Sequence, residues 1–162
     1  MLDCKYAPAP FLSRIKLSTK CSTPLVDTIL YQQLVGSLLY LTHTRLNISY
    51  AVGLVPRFMQ EPHELHWKVA KRILRYIKGT HTYGIQYSSN GNADLVGYTD
   101  SDWAGDLDDR KSTSGYVFHL VYGPIFWSNK KQRTISFSST ESEYRGVVNA
   151  TIESIWILQI LS

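Results

Sequence analysis

The sequence predicts an α+β protein, with a helical first half and a second half that reads β-β-β-α. Two observations carry this. Apolar residues recur at helical spacing as far as Lys78 and then alternate in a strand-like way from Tyr83 until a long helical pattern returns at Thr140. Turn-forming clusters separate the segments, among them Thr42-His43-Thr44-Arg45, Gly79, Ser88-Ser89-Asn90-Gly91-Asn92 and Gly123-Pro124. The expected domains are an extended lead-in over 1–26, a helical region over 27–92 and a sheet-bearing region over 93–162.

Pro8, Pro10 and Pro24 among Ser, Thr and Lys make the lead-in extended. Asp27-Thr28 can cap a helix over 29–41, with Leu34, Leu38 and Leu41 along one side. A second helix is expected over 46–59, kinked or shortened by Pro56. Glu61-Pro62-His63-Glu64 opens a third helix that runs to Lys78 and ends at Gly79. Trp67, Val69, Ala70, Ile73, Leu74 and Ile77 form its apolar side. Tyr83-Gly84-Ile85-Gln86-Tyr87 reads as a short strand, and three strands follow over 93–102, 113–122 and 125–137. Gly123-Pro124 is the expected hairpin turn between the last two. The closing helix, 140–161, shows Tyr144, Val147, Val148, Ile155 and Leu158 on one side.

Of 162 residues, 44% are hydrophobic and 12% aromatic, as in a globular chain. No apolar run approaches the roughly 20 residues of a membrane span, and no secretory signal opens the sequence. Cys4 and Cys21 lack metal-ligand spacing and suggest an intracellular, reducing compartment. The net charge of +4 is uneven: residues 1–92 hold 11 Lys and Arg against 4 Asp and Glu, whereas residues 93–162 hold 6 against 9. Such a split suits a polyanion partner on one half and cations on the other. On the third helix, Lys68, Lys71, Arg72, Arg75 and Lys78 fall within an arc of roughly 120°. They make either a solvated face or a phosphate-tracking one, with weak, salt-sensitive affinity for nucleic acid.

The acidic half holds the candidate chemistry. Asp100 in a strand interior is costly unless paired or metal-bound. Asp102 would share its face if the strand stays regular, while Asp106, Asp108 and Asp109 read as loop residues. Glu141 and Glu143 open the closing helix, where each can serve as a capping-box partner, to Ser138 and Thr140 respectively, or as a metal ligand. Two positions apart, they point about 160° from each other, so both cannot serve one metal pair. His63-x-x-His66 has helical spacing but no further ligands, which leaves it a surface or capping role.

Taken together, Gly97-Tyr98-Thr99-Asp100-Ser101-Asp102-Trp103-Ala104-Gly105-Asp106, Trp127-Ser128-Asn129-Lys130-Lys131-Gln132 and Ser138-Ser139-Thr140-Glu141-Ser142-Glu143-Tyr144 closely resemble the ribonuclease H region of copia-type retrotransposon Pol polyproteins. Upstream, Tyr31-Gln32-Gln33-Leu34-Val35-Gly36-Ser37-Leu38-Leu39-Tyr40-Leu41 and His66-Trp67-Lys68-Val69-Ala70-Lys71-Arg72-Ile73-Leu74-Arg75-Tyr76-Ile77-Lys78-Gly79-Thr80 resemble the region linking reverse transcriptase to ribonuclease H. The resemblance implies a ribonuclease H-like mixed sheet, truncated after its first helix and preceded by a small helical region. It also implies Mg²⁺ as cofactor, an RNA–DNA hybrid as substrate, and Asp100 and Glu143 as the first two carboxylate ligands, with Glu141 as the alternate.

The family's later carboxylates would lie past Ser162, and no polymerase Tyr-x-Asp-Asp turn is present. Arg45-Leu46-Asn47 stands where the family has Arg-Pro-Asp, which, like Pro56, is consistent with drift, and Met1 reads as an internal methionine of a longer polyprotein. Hydrolysis by this chain alone is therefore expected to be negligible. The alternatives are a non-catalytic nucleic-acid-binding remnant and a non-functional relic.

Overall fold

The computed structural model describes residues 4–87 and 94–162, which divide into two compact units, Met1–Gly84 and Ile85–Ser162. In the first unit, helix α1 (Thr28–Leu41) starts where Asp27 accepts the Leu30 amide at 3.0 Å. The single helix expected over 46–59 is broken into a 3₁₀ turn (Leu46–Ile48), a short helix α2 (Ser49–Leu54) and a second 3₁₀ turn (Val55–Phe58). Pro56 accounts for the second break: it brings no N–H to an α-helical bond, and its carbonyl takes the Met59 amide three residues on.

Helix α3 (Glu64–Gly79) lays Val69, Ala70 and Ile73 on a core made of Tyr31, Val35 and Leu38 from α1 and Ile48, Ala51, Val52 and Val55 from the middle segment. Each valine, leucine or isoleucine among them, once removed from water, contributes roughly 1.5–3 kcal/mol before entropy is counted. Tyr31 brings its hydroxyl into this core and donates it to the Val55 carbonyl at 2.8 Å. Burial drives its phenol pKa well upward, so it stays a neutral donor.

Residues 4–26 contain no helix or strand beyond a lone bridge between Leu25 and His63. They lie on the unit nonetheless, with Phe11, Ile15 and Leu17 packed on the core. Gly79 makes room at the end of α3, because a Cβ there would sit 2.9 Å from that of Tyr6. His66, fully buried and stacked 3.9 Å from Phe58, accepts the His63 amide at Nδ1 (3.0 Å) and meets the Ser18 carbonyl at Nε2 (3.1 Å). The His63/His66 pair thus caps α3 as expected.

The second unit is a three-stranded antiparallel sheet, order β1-β2-β3, with β1 (Leu95–Ser101), β2 (Thr113–Leu120) and β3 (Gly123–Lys131), followed by helix α4 (Ser139–Leu161). This α+β order agrees with the opening β-β-β-α of a ribonuclease H-like fold. Two strand expectations need correction. Tyr83–Tyr87 joins no strand among the described residues; instead the Tyr87 hydroxyl reaches the Pro124 carbonyl at 2.9 Å. The turn expected between Ser88 and Asn92 lies outside the described residues.

The hairpin turn is Val121-Tyr122 rather than Gly123-Pro124. Gly123 already pairs with Leu120, and Pro124 sits at a bulge opposite His119, where a missing N–H is tolerated. β3 also stops at Lys131, six residues short of the expected end, because Gln132 turns inward and is buried.

The packed face of α4 differs most from expectation. Tyr144, Val147, Val148, Ile155 and Leu158 are all exposed, while Ser142, Gly146, Ala150 and Ile157 face the sheet. The sheet surface under the first turns of α4 carries Thr99, Ser101 and Ser114, a polar floor on which small residues allow close approach. A Cβ on Gly146 would lie 2.5 Å from the Ser101 hydroxyl oxygen. The apolar core of this unit is correspondingly thin, with only Phe118, Ala150 and Ile157 buried in it. Among the described residues, no helix is long and apolar enough to cross a membrane.

Candidate functional site

Asp100 lies in β1 opposite Gly115 of β2. Its neighbours Thr99 and Ser101 turn their hydroxyls toward Gly146 of α4, so strand alternation places Asp100 on the opposite, exposed face. Its carboxylate makes no hydrogen bond or ion pair among the described residues. Glu143, in the second turn of α4, brings Oε1 to 3.4 Å from the Ser101 amide, at the rim of this edge strand. Asp100 and the residue that Glu143 contacts are thus neighbours at the end of β1.

The neighbouring acids are occupied. β1 ends at Ser101, so Asp102 leaves the strand, and its Oδ1 accepts the Thr113 amide in a short hydrogen bond. Asp106, expected to be a loop residue, is buried within that loop. Its Oδ1 accepts the amides of Asp108 (2.9 Å) and Asp109 (3.3 Å), and its Oδ2 pairs with Lys131 at 2.7 Å. Burial opposes ionisation, but the Lys131 ammonium and the two amides outweigh it and hold the Asp106 pKa at about 2. Lys131 also pairs with Asp109 at 2.8 Å, and these contacts outweigh its own burial and raise its pKa.

Glu141 takes the capping role. Ser138 accepts the Glu141 amide at 3.1 Å, and the Glu141 carboxylate accepts the Phe137 amide at 2.8 Å and pairs with Arg145 at 2.7 Å. The Phe137 amide and the Arg145 guanidinium together hold its carboxyl below the usual carboxylate range.

A buried set of polar side chains lies between the two uncommitted acids, and sequence reasoning missed it. Gln132 donates Nε2 to the Ser114 hydroxyl (2.8 Å), to the Ser142 carbonyl (2.9 Å) and to the Ser142 hydroxyl (3.3 Å). Its Oε1 accepts the Ser136 hydroxyl at 2.9 Å. Ser101 donates to Ser114 at 2.8 Å, and Ser142 donates to the Asp102 carbonyl at 2.9 Å. Only the clustering of hydroxyl residues around Ser112-Thr113-Ser114 and Ser136 to Ser142 hinted at such a network.

On α3, each of the five cations read as a phosphate-tracking face has an intramolecular partner. Lys68 pairs with Glu64 at 2.9 Å, and the Lys71 ammonium lies 4.9 Å from the centre of the Trp67 ring. Arg72 donates to the Ala9 carbonyl (3.1 Å), Arg75 to Lys5 (2.7 Å) and Lys78 to Cys4 (2.9 Å). The positive charge remains, but much of the stripe is engaged in holding the lead-in.

Two Arabidopsis thaliana proteins, the retrovirus-related Pol polyproteins from transposons RE2 and RE1, are 43% and 45% identical to the chain over all 162 of its residues. Over its whole length the chain is thus similar to retrovirus-related Pol polyproteins of transposons. It spans 11% of the length of each of those two relatives. It is also 47% identical over 128 residues to Secreted RxLR effector protein 161 of Plasmopara viticola, matching 78% of the segment and 90% of that protein. No family model matches the segment. No solved structure matches it.

Proposed function

We propose that this chain supplies the first two carboxylates, Asp100 and Glu143, of a ribonuclease H-type site that cuts the RNA strand of an RNA–DNA hybrid. One observation carries the reading. Of the acids around the end of β1, Asp102, Asp106 and Glu141 are bound into loop or cap, whereas among the described residues Asp100 has no partner and Glu143 has only a long contact to one amide. An exposed strand carboxylate with no bond to the protein keeps its oxygens available to an outside cation.

The donor set fits magnesium, which takes hard oxygen ligands. The chemistry Mg²⁺ supplies when bound is activation of the attacking water and neutralisation of charge on the leaving oxygen. The chain's own contribution is positional. Asp100 presents its oxygens from the exposed face of β1, and the Ser101 amide steadies one oxygen of Glu143 while the other stays available. Among the described residues no group of three or more His, Cys, Asp or Glu gathers to hold a metal ion. Two carboxylates alone under-coordinate a metal pair, so the isolated segment is expected to cut hybrid negligibly. The α3 face is the weaker candidate for phosphate contact, since its donors already meet carbonyls of residues 4–9.

A chimaera tests this: the RE2 polyprotein carrying this segment in place of its own matching 162 residues. Given a parent that cuts a labelled RNA–DNA hybrid in Mg²⁺, the chimaera should cut as well. Asp100→Asn and Glu143→Gln should each lower the rate by about 100-fold or more, and Glu141→Gln should cost less than about tenfold. Undiminished cleavage by the Asp100→Asn chimaera would sink the reading.

A further inference from the structure

We infer that Gln132 is a positioning residue that fixes Glu143 relative to Asp100, acting through the buried hydroxyls of Ser114 and Ser142; the inference rests on the site proposed above. Asp100 and Glu143 belong to different elements, and among the described residues the direct tie between them is the long 3.4 Å contact from the Ser101 amide to Glu143, which alone holds the pair loosely. The thin apolar core of Phe118, Ala150 and Ile157 includes no residue from the first turn of α4 or the end of β1. Polar contacts take that place.

Gln132 sits where three segments converge, just past the end of β3, and is 8% exposed. Toward β1 it bonds Ser114, which receives the Ser101 hydroxyl, and Ser101 is the residue next to Asp100. Toward α4 it bonds both the carbonyl and the hydroxyl of Ser142, the residue next to Glu143. Ser142 closes the ring by donating to the Asp102 carbonyl, so the helix is tied to the chain at Ser101 and Asp102, the two residues that follow Asp100. The amide end of Gln132 is itself oriented, because the Ser136 hydroxyl occupies Oε1 and its backbone N–H binds the Ser112 carbonyl at 2.8 Å. With Oε1 fixed as acceptor, both Nε2 protons face Ser114 and Ser142. A glutamine is suited to this place: one planar group accepts from the loop and donates to the strand and the helix together. Such networks around metal-binding carboxylates set ligand orientation, and breaking one costs about 10- to 100-fold in metal affinity.

The test uses the full chain, labelled with ¹⁵N and titrated with Mn²⁺, whose paramagnetism broadens nearby amide signals. The Ser101 and Glu143 amides should broaden together at one midpoint, and Asp100→Asn should abolish this. Gln132→Met keeps the side-chain length and removes the donors. It should raise the midpoint about tenfold and separate the two responses, with the rest of the spectrum unchanged. Ser136→Ala, which frees Oε1 so that the amide can turn, should raise the midpoint in the same direction by a smaller factor, and Ser162→Ala at the far end of α4 should leave it within about twofold. A folded Gln132→Met chain that broadens at the original midpoint overturns the positioning role while leaving the site reading intact. Absence of broadening in the unmodified chain, or broadening indifferent to Asp100→Asn, overturns the site reading and this inference with it. Should Gln132→Met fail to fold, Ser114→Ala removes one acceptor, and an unchanged midpoint there counts equally against the proposal.

Discussion

The two units of this chain solve the problem of folding in different ways. In Met1–Gly84, ten fully or almost fully buried apolar residues form a continuous core, and the polar side chains work at its margin, capping helices and holding the lead-in. In Ile85–Ser162, a core cluster of three buried apolar residues among those described is supplemented by a network of serines around one glutamine, and helix α4 turns most of its large apolar residues outward. The difference bears on function. An apolar core tolerates modest repacking, whereas a network of directional bonds fixes the residues beside it in one arrangement. The unit that contains the candidate site is the one built on directional bonds.

Three measurements can break or sharpen this contrast. The largest effect is expected in the first unit, where Ile73→Ala should cost about 2–5 kcal/mol by leaving a cavity, read as faster hydrogen exchange across α1 and α3. A cost below about 1 kcal/mol would mean the core is far looser than its burial implies. In the second unit, the Asp106–Lys131 pair should make stability fall with acid. The folded pKa of about 2 lies below the ordinary 3.8, so the stabilisation is complete above pH 3.8 and is lost as pH falls toward 2. With Lys131 partly exposed, the loss should be about 1–2 kcal/mol. Thermal melts between pH 6 and 2 should show it, and Asp106→Asn should flatten the curve. The smallest effect is expected at Ile152, 61% exposed on α4, where Ser should change stability by less than about 0.5 kcal/mol. A large loss there would show that the outer face of α4 is covered in the folded chain and that the contrast is overdrawn.

Much of the first unit was legible because its physics is periodic. The spacing of Leu34, Leu38 and Leu41, the cap at Asp27, and the break forced by Pro56 each leave a local mark in the sequence, and α1, α3 and the interrupted middle segment follow from them. The cation stripe of α3 was legible as an arc, but its partners were not, since backbone carbonyls of residues 4–9 have no sequence signature. In the second unit, large apolar residues on α4 suggested the wrong buried face. A helix resting on Thr99, Ser101 and Ser114 needs small residues, and Ser142, Gly146 and Ala150 carry little hydrophobic signal. Around the candidate site, the capping role of Glu141 could be read from its distance to Ser138, while Gln132, a single glutamine with no repeating pattern, could not be picked out at all.

The turn between β2 and β3 bears on the order in which this sheet assembles. Val121 holds a left-handed φ of 59°, a region where a β-branched residue is strained and where glycine or asparagine is normally found. A tip that resists its own geometry is a poor nucleus for the hairpin. The strands must instead be drawn together by side chains farther along, such as the Val117–Trp127 and Phe118–Phe126 pairs, after which the tip is forced shut. Strain at the tip thus predicts closure from the middle toward the turn, in which case Val121→Asn should slow unfolding more than it speeds folding.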